Sequence, residues 1–92
     1  MELTFTDQVA VVTGGSRGIG AAISVALAKS GAKVVVNHLP TERDIAGFKS
    51  VQERVEELGG SCLSAPGDVT DPAFCAELCG RAVAEYGSLD IL

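Results

Sequence analysis

Val9-Ala10-Val11-Val12-Thr13-Gly14-Gly15-Ser16-Arg17-Gly18-Ile19-Gly20 decides the fold, because an apolar run leads without a break into a glycine-rich turn. A short continuous apolar run is the pattern of a parallel strand buried on both faces. Gly14 permits a tight turn, Gly18 lets backbone approach an anion with no Cβ in the way, and Gly20 lets the next helix lie close to the strand. Free N–H groups at that helix's N-terminus would then point at a phosphate. The three glycines are spaced G-x3-G-x-G, a permutation of the G-x-G-x-x-G dinucleotide fingerprint. An ordinary strand-to-helix turn fits the same residues, so the reading rests on what surrounds them.

The surroundings alternate regularly. Ile19, Ile23, Ala26 and Leu27 recur at helical spacing and predict the buried face of a first helix, with Gly31 at its C-terminal end. Val34-Val35-Val36 reads as a second buried strand, ending at Asn37. Pro40 and Thr41 introduce a second helix with Ile45, Phe48, Val51, Val55 and Leu58 on one face, closed by Gly59-Gly60. Cys62-Leu63-Ser64-Ala65 is a third, shorter strand. Asp71 as N-cap and Pro72 at the first helical position open a third helix, whose apolar side carries Cys75, Leu78, Cys79, Ala82 and Tyr86 and whose end is Gly87. Asp90-Ile91-Leu92 looks like the start of a fourth strand. The order βαβαβαβ predicts an α/β fold, a Rossmann-like parallel sheet with flanking helices and right-handed crossovers. The first two helices should share one face and the third should cover the other. No repeat, low-complexity tract or long linker interrupts residues 1–92, which read as the N-terminal part of a single dinucleotide-binding domain.

Composition narrows the partners. A net charge of −5, with acids such as Glu53, Glu56 and Glu57 spread along a helix, argues against a general nucleic-acid surface. There is no apolar run of transmembrane length, and Met1 to Asp7 lacks the basic and apolar regions of a signal peptide, so no membrane partner and a cytoplasmic location are expected. Cys75 and Cys79 fall on one helix face while Cys62 belongs to a strand. With His38 the only histidine and remote from them, no metal site is expected; small buried thiols in a reducing compartment fit better.

At this point the sequence resembles the short-chain dehydrogenase/reductase family, most closely its 3-oxoacyl-[acyl carrier protein] reductases and related carbonyl reductases. The resemblance covers essentially the whole chain and is carried by residues 13–20, Val34 to Asn37, Asp68-Val69-Thr70-Asp71-Pro72, and Gly87-Ser88-Leu89-Asp90-Ile91-Leu92. It implies that the loop containing Gly14, Ser16, Arg17, Gly18, Ile19 and Gly20 binds the cofactor's pyrophosphate and adenosine ribose. It also implies that Asp68 contacts the adenine amino group, with the backbone of Val69 beside it. Read without the family, Asp68 has a second reading, a carboxylate capping the loop after a strand, which needs no ligand.

Charge distinguishes the two nicotinamide cofactors. An acid at the end of the second strand would bind the 2′-hydroxyl of NAD and repel the 2′-phosphate of NADP. Asn37 stands there, and Arg17 in the loop is a fixed cation able to reach a phosphate with paired donors. His38 and Arg43 lie just beyond and could add donors. NADP(H) is therefore favoured, with NAD(H) the alternative.

The family transfers hydride using a Tyr, a Lys four residues on, a Ser and commonly an Asn, all of which the resemblance puts beyond the position of Leu92. Tyr86, the only tyrosine, has Asp90 where that lysine would be required, and neither Ser16 nor Ser88 matches the family's serine. No catalytic residue is assigned, and the chain alone is expected to be inactive. Two other readings stay open: a stand-alone dinucleotide module or sensor, and a non-binding remnant acting through oligomer contacts. Uncovered sheet surface and an open strand edge would favour self-association.

Overall fold

The structure is a computed structural model that describes residues 6–90. Its elements follow in the order β1 (Val9–Val12), α1 (Gly18–Lys29), β2 (Lys33–His38), α2 (Glu42–Glu57), β3 (Cys62–Pro66) and α3 (Pro72–Tyr86). The strands form one parallel sheet with β2 in the middle, Val11 paired with Val35 and Val35 with Leu63. The expected Rossmann-like α/β architecture is thus present over these residues.

Pleating of the strands divides the apolar side chains between two faces. Val12, Val34 and Val36 pack with Val25 and Ala28 of α1 and with Phe48, Val51 and Val55 of α2. Val9, Val11, Val35 and Ala65 point the other way and meet Leu78 and Ala82 of α3, with Phe74 and Tyr86 at the margin. Two helices therefore share one face and the third covers the other, as the strand order requires.

Helix ends follow the expected chemistry. The Thr41 hydroxyl accepts from Asp44 N at 3.2 Å, and the Asp71 carboxylate accepts from Ala73 N at 3.0 Å ahead of Pro72. Three details differ from the sequence reading. On α1 the buried residues are Ser24, Val25 and Ala28, whereas Ile19 is 81% exposed and Ile23 46%, and Ala26 is exposed too. Of the four residues expected to face the core, only Leu27 packs partly against it. The reason is close approach: α1 sits on the sheet through small side chains, which leaves the longer ones on the outside. On α2, Ile45 and Leu58 lie at the rim of the apolar face, both more than 40% exposed.

The third difference lies at the end of β2, which continues one residue further than expected, to His38. At the outer edge of β1, Asp90 N donates to Val9 O at 2.9 Å and Val9 N to Asp90 Oδ2 at 2.9 Å. Asp90 thus lies beside β1 where a fourth strand was expected to start; Ile91 and Leu92 lie outside the described residues. No helix among the described residues is long and apolar enough to cross a membrane, and none of their His, Cys, Asp or Glu side chains cluster as a metal site.

Two measurements test this packing. Val55 is fully buried between α2 and the sheet, so Val55→Ala should lower unfolding free energy by about 2 kcal/mol, with an unchanged denaturant m-value. Burial, reinforced by the nearby Glu56 charge, raises the Cys62 thiol above its ordinary value, whereas Cys75 and Cys79 are only half-buried. Cys62 should be the last of the three to react with a disulfide reagent near pH 8; labelling of Cys62 first would mean that β3 does not stay packed under α2.

Candidate functional site

The carboxyl ends of β1, β2 and β3 converge on a cleft of about 380 Å³, the position where open parallel sheets bind ligands. Gly14 and Arg17 supply one wall from the loop after β1, Asn37, His38 and Leu39 come from the end of β2, and Gly67, Asp68 and Val69 follow β3. Asp44, in the first turn of α2, completes the lining.

The glycine loop is built by backbone crowding on one side and open space on the other. Gly14 and Gly18 have φ of 61° and 55°, and a Cβ on either would meet nothing within 4 Å, so both positions open outward. Gly20 is the opposite case, since a Cβ there would collide with the carbonyl oxygen of Gly14. That contact is the close helix approach the glycine spacing predicts. Gly15 adds a second: a Cβ there would lie 2.8 Å from Ser24 Oγ and 3.0 Å from both Val12 O and Val36 Cγ1. The buried Ser24 hydroxyl reaches the carbonyls of Gly15 at 3.1 Å and Gly20 at 2.9 Å, tying α1 to the loop that precedes it. No side chain caps the N-terminus of α1, so its first N–H groups are available to an anion.

Asn37 is used differently from the sequence reading. Its side chain is buried, its Oδ1 accepts from Gly14 N at 3.2 Å, and its Nδ2 donates to Ala65 O at 3.0 Å and Gly67 O at 3.2 Å. The amide is saturated internally and joins the loops after β1 and β3. The last residue of the strand is His38, also buried and stacked on Phe48 with centroids 5.5 Å apart. Its Nδ1 lies 2.8 Å from Leu39 O and its Nε2 2.7 Å from Ser64 Oγ. A carbonyl only accepts, so in the neutral ring Nδ1 carries the proton and Nε2 accepts from Ser64. Neither residue at the end of β2 is acidic, and the polar side-chain atoms of both face internal partners.

The remaining predicted residues divide between cleft and packing. Arg17 and Asp68 line the cleft with Val69, whereas Ser16 is buried and turns its hydroxyl to Asp44 Oδ1 at 3.3 Å. Ile19 stands exposed on the first turn of α1, and Arg43 is exposed on α2 away from the cleft lining. Asp68 Oδ1 accepts from Thr70 N at 2.8 Å and Thr70 Oγ1 at 2.7 Å, which holds its carboxyl below the usual carboxylate range. The loop-capping function of Asp68 is therefore real, and the same side chain also borders the cleft.

Asp44 was not apparent as a site residue from the sequence. Its carboxylate accepts from Thr41 Oγ1 at 2.6 Å and lies 3.6 Å from Arg17 Nε. The Thr41 bond, with the Arg17 charge and Ser16 bond, holds it below the usual carboxylate range against some desolvation. Thr41-x-x-Asp44 is legible as a helix start; its approach to Arg17 depends on Gly47, one turn later, where a Cβ would collide with Ser16 O.

Residues 8–92 match the family model for short chain dehydrogenase. The chain belongs to the short-chain dehydrogenase family. It is 41% identical over 87 residues to the uncharacterized oxidoreductase YhxD of Bacillus subtilis, covering 95% of this chain and 28% of that protein. A metagenomic short-chain oxidoreductase solved in complex with NADP superposes with a TM-score of 0.82 at 37% identity, over 95% of this chain and 38% of that one. A 7α-hydroxysteroid dehydrogenase complexed with NADH and 7-oxo glycochenodeoxycholic acid gives 0.84 at 26% identity, over 96% and 33%. The chain thus spans about a third of the length of these relatives.

Asn37→Asp keeps an acceptor for Gly14 N but sets a carboxylate against the carbonyls of Ala65 and Gly67. It should cost about 2 kcal/mol or more of unfolding free energy in the absence of any ligand. A loss below about 0.5 kcal/mol in urea titration, the size of an ordinary surface substitution, would show that Asn37 does not hold the two loops together.

Proposed function

We propose that these residues hold the pyrophosphate and adenosine of NADP within an oxidoreductase that moves hydride between NADP(H) and a carbonyl or alcohol substrate. The observation that carries this reading is the placement of Arg17 on the lining of a cleft at the strands' carboxyl ends, beside an outward-open glycine loop. The residues fit a dinucleotide. Gly14 and Gly18 leave the loop surface free of side chains, and the uncapped N-terminus of α1 offers N–H groups and a positive dipole end to the pyrophosphate. Asp68 and the backbone of Val69 border the same cleft and would take the adenine. The nicotinamide supplies or accepts the hydride when the cofactor is bound.

Preference for NADP follows from Arg17. Its Nε faces Asp44, and a guanidinium held through Nε still presents its terminal nitrogens as a planar pair of donors, suited to a 2′-phosphate. His38 and Asn37 enter through the walls they form, not through donors of their own. Ser16 and Ile19 support the loop's shape and its first helical turn.

Calorimetric titration of the chain with NADPH and NADH tests the proposal. NADPH should bind more tightly, and Arg17→Gln should weaken NADPH by about 10-fold to 100-fold, the worth of one charge-assisted contact, while changing NADH little. Tighter binding of NADH by the unaltered chain would reverse the assignment.

A further inference from the structure

We infer that Asp44 is the residue that limits discrimination between the two dinucleotides, accepting the adenosine 2′-hydroxyl of NAD and opposing the 2′-phosphate of NADP at Arg17. The inference rests on the cofactor reading above. An acid performing this task is expected at the end of β2, and none is there: Asn37 is spent on three internal bonds and His38 is buried against Phe48. Asp44 comes to the same cleft from the next helix, and brings the negative charge that the strand end lacks.

Three features suit it to that task. The carboxylate is fixed, because Ser16 Oγ, Thr41 Oγ1 and Arg17 Nε converge on it from the glycine loop and the helix cap. A carboxylate offers about four acceptor positions; these three partners leave one for a hydroxyl on the cleft side, where the side chain is 16% exposed. Its charge is also paired with the very cation that would receive the 2′-phosphate, so any phosphate at Arg17 must share the guanidinium with a neighbouring anion. The lowered carboxyl keeps that charge in place at neutral pH.

The same geometry separates this role from simple helix capping. Loss of the cap alone would weaken both dinucleotides together, whereas loss of the charge moves their ratio. Asp44→Asn, of nearly the same shape, should raise the NADPH-over-NADH preference by about tenfold, through tighter NADPH and weaker NADH, as for one charge-assisted contact. A second measurement uses the unaltered chain and needs no variant to fold. An NADH analogue lacking the adenosine 2′-hydroxyl should bind about tenfold more weakly than NADH, the worth of that hydrogen bond. An unmoved ratio in Asp44→Asn, a shift toward NADH, or equal binding of the deoxy analogue overturns the inference while leaving the cofactor site intact. Binding of neither dinucleotide by the unaltered chain overturns the cofactor reading and this inference with it.

Discussion

The amide of Asn37 is the constraint on which the upper end of the molecule depends. Parallel neighbours lie about 4.8 Å to each side of β2, so one side chain at the end of the middle strand reaches the loops after both outer strands. It accepts from Gly14 N on one side and donates to Ala65 O and Gly67 O on the other. Buried amides are costly unless saturated, and this one is saturated only when both loops close on it. The backbone adds to the clasp, with Gly15 N donating to Asn37 O at 2.9 Å and Gly67 N to His38 O at 2.8 Å. The cleft is the space left outside that junction.

Missing Cβ atoms then bring two helices onto the glycine loop. Gly15 and Gly20 let α1 sit so close that Ser24 bonds the carbonyls of both, and Gly47 lets α2 rest on the backbone of Ser16. At Gly20 and Gly47 these are contacts of backbone with backbone, so they are stiff, and they decide which side chains meet. Asp44 reaches Arg17 because Gly47, three residues later on the same helical face, touches the loop first. A charge pair bordering the cleft thus has its origin in a packing contact that carries no charge.

Much of this was legible in the chain itself. The apolar runs of β1 and β2, the caps at Thr41 and Asp71, and the glycine loop identified the elements, because each signal depends only on neighbouring residues. The inward face of α1 was not legible. Ile19, Ile23 and Ala26 form a convincing stripe, but the helix is apolar on most sides, and closeness to the sheet selected the smaller Ser24, Val25 and Ala28 instead. The burial of Asn37 and His38 was hidden for a different reason. Polarity at the end of a strand suggests solvent or ligand, and the partners that satisfy these side chains, Gly14, Ser64, Ala65 and Gly67, are more than twenty residues away. Asp44 was readable as part of a helix start and unreadable as a neighbour of Arg17, since that proximity belongs to the packing of α2.

The charge balance of the cleft says how an anionic ligand would have to be held. Among the described lining residues Arg17 is the one fixed cation, set against the carboxylates of Asp44 and Asp68, in a chain of net charge −5. Such a surface does not draw a polyanion from a distance; attraction must come at short range, from backbone N–H groups at the start of α1 and from the guanidinium itself. Both carboxyls are held below the ordinary range by their bonds to Thr41 and Thr70. Their stabilising contribution is therefore complete above about pH 4, the ordinary carboxylate value, and is lost as the pH falls through their folded-state values. Over that same acid range the cleft loses its negative charge, so stronger attraction for an anion would arrive only as the hydrogen bonds shaping its walls are given up.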